Sequence, residues 1–453
     1  MIKLVALLAA AFVSQGSCTG QELQPEVLHS FSVAEGAKPR GGLVPGADGS
    51  FYGVTSAGGT NGFGSVFQCR TNGEVSILWS FGDGSELNPG SGLTLGPDGN
   101  LYGTTVSGGS ANPSVHGTIF RLTPERAHTT LAVFNGTNGH EALGRLCSAT
   151  AGEFWGTTVA GGDNDAGVIF KVATNGVLTR LVSFTDFDPP NLGANPYGGL
   201  VGDGAGNFYG TTAMGGLFGF GTVFKLTSGG ALTTLVSLDG SAGYFPTANL
   251  IWCPDGSLLG PAGGGDFGYG MIFRVTTNGL ISVLASFNST NGSYPNELVA
   301  DPDGAYYGTC FAGGSQGYGT LFKLNADGRL NTLFNFDRGH GAYPETPLTL
   351  GQDGNVYGIS SEGGEFNQGV IFRLNLAAAA PRIESLRYTN GATLLAWHSV
   401  VGRAYQVQYN STVTAADWTN LGGAVTATNV LTSITDSPSP ILARFYRVQL
   451  LPY

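Results

Sequence analysis

Apolar runs of five to seven residues recur along the chain, each stopped by a polar turn. Between 92 and 134, GLTLG (92–96) leads through Pro97-Asp98-Gly99-Asn100 into LYGTT (101–105). A glycine-rich loop, GTIFRLT (117–123), a short turn and TTLAVF (129–134) follow. Runs of this length, bounded by Asp-Gly and Asn-Gly pairs that accept positive φ, predict antiparallel hairpins. Aligning the chain on an aromatic residue or leucine followed by glycine gives Tyr52-Gly53, Tyr102-Gly103, Trp155-Gly156, Tyr209-Gly210, Leu259-Gly260, Tyr307-Gly308 and Tyr357-Gly358. These copies lie 48 to 54 residues apart. Four strands in about fifty residues, repeated in tandem, predict the blades of a β-propeller.

The two ends of the repeat array complement each other. The seventh copy stops at VIFRLN (370–375) without a fourth run, whereas EVLHSF (26–31) matches SILWSF (76–81), RLVSF (180–184) and NTLFNF (331–336). The expected fold is therefore all-β: a seven-bladed β-propeller over 26–375, with four-stranded blades and a ring closed by the N-terminal strand. Closure removes the free sheet edges that invite aggregation. A linker, Leu376 to Pro381, then leads to 382–453, where ATLLAWHS (392–399), AYQVQYN (404–410), LTSITD (431–436) and ARFYRVQL (443–450) follow no fifty-residue pattern. Tyr405, Val407 and Tyr409 share one strand face and Gln406 and Gln408 the other, which predicts a small C-terminal β-sandwich.

The string L-x-x-x-x-D-G-N-x-Y-G-T-T-x-x-G-G, followed by G-T-V-F-K-L and L-T-T-L-x-S-F, resembles the Gloeo/Verruco (GloVer) tandem repeat of exported bacterial proteins. The resemblance covers 26–375 and implies an extracytoplasmic propeller; it brings no catalytic residues with it. Through Trp397, YQVQY (405–409), Trp418 and RFYRV (444–448), the C-terminal segment resembles fibronectin-type or immunoglobulin-like modules, which implies a spacer or adhesion role.

Composition narrows the function. Of 453 residues 75 are glycine, 11% are charged and 42% hydrophobic, with a net charge of −11. Glycine without a three-residue period excludes collagen, and the apolar fraction excludes a disordered chain. No block of basic residues is present to displace counterions, so a nucleic-acid partner is not expected, and acidity opposes binding to an anionic membrane surface. Lys3 followed by the apolar stretch Leu4 to Val13 reads as a signal peptide over 1–16, cut after Gly16 with Ser14 at the −3 position. Cys18 raises lipoprotein processing as a rival, but Gln15 and Ser17 do not fit its motif. A secreted, extracellular or cell-surface location is expected, with the periplasm as an alternative and no membrane insertion. Cys69, Cys147, Cys253 and Cys310 fall at four different positions of the repeat, which predicts no regular disulfide framework and small apolar residues filling strand or turn slots.

Candidate chemistry is sparse. No GxxxxGK[ST], HExxH, GxSxG or EF-hand string occurs, and no cofactor or metal is expected. A basic residue follows the phenylalanine of the third strand in six copies (Arg121, Lys171, Lys225, Arg274, Lys323 and Arg373), with Gln68 in the first. The turn between the first two strands holds Asp48, Asp98, Asp255, Asp303 and Asp353, so a ring of structural ion pairs between blades is expected. At the opposite end, one loop position reads Phe63, His116, Ala166, Phe220, Tyr269, Tyr318 and Gln368, and another Lys38, Asn88, Glu141, Asn195, Phe245, Tyr294 and Tyr343. Phe220, Phe245, Tyr269, Tyr294, Tyr318 and Tyr343 thus gather in one sector, either as wedges between blades or as a surface that stacks on sugars. His116, His140, Glu141, Asp163 and Asp165 break the repeat on neighbouring blades, and imidazole beside carboxylate is the chemistry of general acid–base catalysis. His340, Glu345 and Arg40 form a second such group. The expected function is a monomeric binding or scaffold protein for an extracellular glycan or protein. The alternatives are a propeller enzyme (polysaccharide lyase or hydrolase) on the second and third blades, and a structural spacer.

Overall fold

A computed structural model describes residues 24–451, apart from 83–85, 109–115, 151, 186–191, 302–303, 376–381, 390–391, 400–403, 411–417, 429–430 and 438–443. The signal peptide, Cys18, Asp303 and the linker lie outside the described residues. Among the described residues there is no helix, and every sheet is antiparallel.

Residues 26–374 form seven sheets, named 1 to 7 here, with strands a to d in chain order. Sheet 1 contains Ala37–Pro45, Phe51–Ala57, Ser65–Cys69 and Val75–Ser80. Sheets 2 to 6 repeat this meander up to Leu330–Asn335, with strand a divided in two in sheets 2 and 6. Sheet 7 takes Thr349–Leu350, Val356–Ser360 and Val370–Leu374 from the end of the array, and its fourth strand is Glu26–Ser30. That strand pairs antiparallel with Val370–Leu374, Ser30 opposite Val370. The complementarity of the two ends is thus realised as a hydrogen-bonded ladder.

The apolar core is divided among the boundaries between consecutive sheets. One cluster of buried side chains occupies each boundary, and the cluster of Phe31, Leu43, Phe67, Tyr357 and Ile371 joins sheet 7 to sheet 1. The arrangement is propeller-like. It explains why strand c is buried on both faces, reading BBBiB in Thr118–Leu122 and again in Val370–Leu374: each sheet has a neighbour on either side. The wedges come from the residue that ends each strand-d motif, phenylalanine in six copies and Leu238 in sheet 4. Phe31 meets Phe67 edge-on at 5.0 Å, Phe81 meets Phe120 at 5.3 Å, Phe134 meets Phe170 at 5.2 Å and Phe287 meets Phe322 at 5.0 Å.

The glycine of the alignment motif has a steric cause. In strand pairing Gly53 stands opposite Phe67, Gly156 opposite Phe170 and Gly358 opposite Phe372, and each ring folds over its glycine. A Cβ at these glycines would come within 2.4 to 2.5 Å of the ring Cζ, so even alanine is excluded without displacement. The threonine that follows pairs its hydroxyl with the first residue of strand c: Thr105 with Thr118 at 2.9 Å, Thr212 with Thr222 at 2.8 Å. Thr55 and Ser65 repeat the pair at 2.9 Å in sheet 1, so these buried hydroxyls satisfy each other.

Beyond the ring, Arg382–Thr389, Ala392–His398 and Leu431–Asp436 form one sheet, and Ala404–Asn410 pairs with Thr419–Asn420, Val425–Thr426 and Phe445–Leu450 in another. The two share a core of Leu395, Trp397, Tyr405, Val407 and Ala427.

Candidate ligand-binding face

Among the described residues the ring of ion pairs between blades does not form. Of the aspartate–basic pairs, Arg274 and Asp255 approach to 3.6 Å, and both belong to sheet 5. The aspartates instead close their own turns: Asp48 accepts from the Ser50 hydroxyl at 2.5 Å, Asp98 from Tyr102 at 2.6 Å and Asp353 from Tyr357 at 2.7 Å. Register accounts for this, because the strand-c basic residue lies directly opposite the strand-b aromatic of the same sheet. Lys225 and Lys323 accordingly sit over the rings of Tyr209 and Tyr307, 5.8 and 5.1 Å from the centroids.

At the other end of the ring, the two loop positions meet across the sheet boundaries. The backbone N–H of Phe245 donates to Phe220 O at 3.1 Å, Tyr294 to Tyr269 at 2.8 Å and Tyr343 to Tyr318 at 2.9 Å. Lys38 donates to Gln368 at 2.9 Å, carrying the same bond over the closure from sheet 7 to sheet 1. This geometry holds all seven residues of the second position in the left-handed region: Lys38, Asn88, Glu141, Asn195, Phe245, Tyr294 and Tyr343, with φ from 49° to 59°. Asparagine accepts that conformation readily, but a bulky aromatic residue does so only under strain.

The aromatic sector therefore projects from a strained backbone. Tyr294 is 62% exposed, Phe245 43%, Tyr269 41% and Phe220 38%. Tyr318 and Tyr343 are half-buried; Tyr343 packs against Phe311 and Tyr318, and the Arg338 guanidinium covers the Tyr318 ring at 4.9 Å. Leu217, Phe218 and Phe267, in neighbouring loops, are also exposed and widen the apolar surface. Sequence reasoning missed these three because it followed the single register position that recurs in every copy.

The histidine–carboxylate group converges in part. The His116 and His140 rings lie 4.9 Å apart, His140 Nε2 is 3.0 Å from Asp165 Oδ1, and His140 Nδ1 is 3.9 Å from Glu141. Asp163 turns away to Arg180, at 2.7 Å. Asp165 Oδ1 also accepts the Gly161 N–H at 2.8 Å, and that bond together with His140 holds its carboxyl below the usual range. Asn367 makes the corresponding bond to Gly363 at 3.1 Å in sheet 7, also at positive φ, so Asp165 fills a turn position of the repeat. His340 is held by Asp337 at 2.9 Å, while Arg40 and Glu345 approach to 3.9 Å across the ring closure. Among the described residues no group of three or more His, Cys, Asp or Glu is placed to hold a metal ion. All four described cysteines are free; Cys69, Cys253 and Cys310 are buried, and burial pushes the Cys69 thiol up to about 12.

A cavity of about 240 Å³ opens on the ring axis beside this face, lined by all seven sheets or the loops entering them. Pro295, next to Tyr294, and Glu345, two residues after Tyr343, reach it. The residue just before the leucine that enters strand a is Gly42, Gly92, Arg145, Gly199, Asn249, Glu297 and Pro347 in the seven copies. Glycine holds three of the seven copies, polar side chains hold three more, and Pro347 holds the last. Arg145 donates from Nη2 to Gly41 O at 3.0 Å, and its Nε is buried without a hydrogen-bond partner. Asn249 accepts the Gly199 N–H and donates to Glu297 Oε2 at 2.8 Å. Burial pushes the Glu297 carboxyl up, against the Arg145 charge and the Asn249 hydrogen bond, which lower it. The trio escaped sequence reasoning although the signal was present, as a departure from glycine one residue before a recurring leucine.

Fold and face together define a tandem-repeat, propeller-like protein with a loop-built surface at one end. The profile of the Gloeobacter/Verrucomicrobia repeat matches residues 16–115, 71–262 and 254–412, and the chain belongs to that repeat family. No curated protein matches it. Solved structures to which it is similar include a gluconolactonase from Xanthomonas campestris (13% identity, 77% of this chain and 94% of that one, TM-score 0.40). Hydrazine synthase from Kuenenia stuttgartiensis is another (12% identity, 80% and 99%, TM-score 0.48). A third is an α-L-arabinanase from Penicillium chrysogenum complexed with arabinobiose (16% identity, 62% and 91%, TM-score 0.39).

Proposed function

We propose that the protein is an exported, monomeric, seven-bladed β-propeller, closed by its N-terminal strand and followed by a fibronectin-like sandwich, that binds an extracellular glycan through its aromatic sector. The observation that carries this reading is the placement of Phe245, Tyr294 and Tyr343 at φ 49°, 57° and 52°. Other copies put Asn, Lys or Glu at this register, so the fold does not require a bulky ring there. Backbone strain of this kind costs on the order of 1–3 kcal/mol per residue and is characteristic of ligand-binding positions. With two of the three rings more than 40% exposed, packing does not offset that cost. Flat aromatic faces beside a polar cavity suit the alternating apolar and hydroxyl surfaces of a sugar. A glycan array probed with the purified protein and with Tyr294→Ala tests the reading: hits lost in the variant support it, and a blank array shifts the weight to a protein ligand.

The second reading, a lyase or hydrolase acting on a polysaccharide, draws on the 3.0 Å contact between His140 and Asp165. It is the weaker of the two, since Asp165 is 77% exposed and serves its own turn. Depolymerising activity abolished by His140→Ala would restore it.

A further inference from the structure

We infer that the axial cavity is a second, distinct subsite that takes one terminal sugar ring, with Arg145, Asn249 and Glu297 as the groups that bind its hydroxyls; the inference rests on the glycan reading above. Three features lead to it. The trio occupies one register position, in sheets 3, 5 and 6, where sheets 1, 2 and 4 keep glycine. Two of those glycines make room for it: a Cβ on Gly92 would stand 3.1 Å from Arg145 Nε, and one on Gly199 would stand 3.2 Å from Asn249 Oδ1. Three copies thus direct a polar side chain toward the same space where three others have glycine and the seventh has Pro347.

The donor set matches hydroxyl groups. Arg145 can only donate and Glu297, when ionised, can only accept, while Asn249 does both. A sugar hydroxyl, which donates and accepts, satisfies either kind of partner. Arg145 lines the cavity, and its buried Nε has no acceptor among the described residues. Glu297 uses only Oε2, toward Asn249, so Oε1 is available to a ligand. The four charged groups lining the cavity, Arg40, Arg145, Glu297 and Glu345, balance, which suits a neutral ligand better than a polyanion. A volume of about 240 Å³ lies below the ~300–1,000 Å³ that encloses drug-sized ligands, so the space takes a ring and not an oligomer. The site is also held rigid from outside: Gly41 O fixes Arg145, the Gly199 N–H fixes Asn249, and Asn249 fixes Glu297.

Calorimetric titration of the purified protein with single sugars (neutral hexoses, pentoses and uronic acids), and with any oligosaccharide bound on the array, tests the inference. The variants are Glu297→Gly and Asn249→Gly, which install the glycine of sheets 1, 2 and 4, the near-isosteric Glu297→Gln, and Tyr294→Ala; thermal melts confirm folding. Monosaccharide binding weakened at least tenfold by the Glu297 and Asn249 variants and unchanged by Tyr294→Ala supports the axial subsite. A preference for uronic acids over neutral sugars overturns the hydroxyl-binding assignment and places a ligand carboxylate on Arg145. Oligosaccharide binding lost in Tyr294→Ala but intact in all three axial variants overturns the subsite and leaves the aromatic reading standing. Single sugars bound through Glu297 with no oligosaccharide effect of Tyr294→Ala does the reverse. No binding of any sugar overturns both.

Discussion

Two sectors of the ring carry different chemistry on the same backbone positions. At the boundary of sheets 2 and 3 the loop pair is His116 and Glu141; at the boundaries from sheet 4 to sheet 7 it is Phe220 with Phe245, Tyr269 with Tyr294 and Tyr318 with Tyr343. Glu141 and Tyr294 share their left-handed conformation, φ 59° and 57°. The strain therefore belongs to the scaffold, and what differs is what each sector does with the projecting side chain. In the first sector polar side chains satisfy one another through His140 and Asp165; in the second the rings face outward. The difference teaches that a converging polar cluster is weaker evidence for a site than an exposed, unsatisfied one, because mutual satisfaction already explains the cluster.

The comparison can be broken most forcefully at its foundation. If the sectors rest on equivalent scaffolds, Phe134→Ala and Phe287→Ala, which remove the wedges below them, should each cost about 3–5 kcal/mol in denaturant unfolding. A large inequality would show that the two boundaries are not interchangeable. Next in size is the functional contrast: Tyr294→Ala should weaken glycan binding about tenfold, roughly 1.4 kcal/mol, whereas His140→Ala should leave the titration unchanged. Equal losses would place both sectors in one site.

A subtler comparison uses the shared strain. Tyr294→Gly and Glu141→Gly should both raise the unfolding midpoint, by up to about 1 kcal/mol of stability, since glycine takes positive φ without a steric penalty. Stabilisation at only one of them would make the strain local. Smallest is the pH effect that separates the sectors. Asp165 has its folded pKa below the ordinary 3.8, so the stability it contributes is present above that value and is lost as pH falls through the lowered one. Asp165→Asn should flatten a small part of the acid limb of the stability curve, while Tyr294→Ala should not alter its shape.

Much of the fold was legible because the sequence states it seven times. The spacing of the aromatic-glycine pair marks one sheet after another, and the missing fourth run at one end together with the spare run at the other predicts the pairing of Glu26–Ser30 with Val370–Leu374. The site was legible only in part. The register that named Tyr269 and Tyr294 was readable, but the axial trio stands in three separate copies, one or two repeats apart, each differing at a single position. Among the described residues the ion-pair ring failed because sequence places charges at a common height and does not say that basic residues such as Lys225 and Lys323 face their own sheet's aromatic ring.

By itself, then, the sequence determined whatever depends on local period and turn chemistry: strand length, the hairpins, the glycine opposite each strand-c phenylalanine and the number of repeats. Tertiary structure alone decided what depends on closing the array into a ring. Closure turns seven equivalent backbone segments toward one axis, and only there do Arg145, Asn249 and Glu297 become neighbours of one cavity. Local propensity acts over a few residues, whereas that juxtaposition is fixed by the wedge packing at every boundary around the ring.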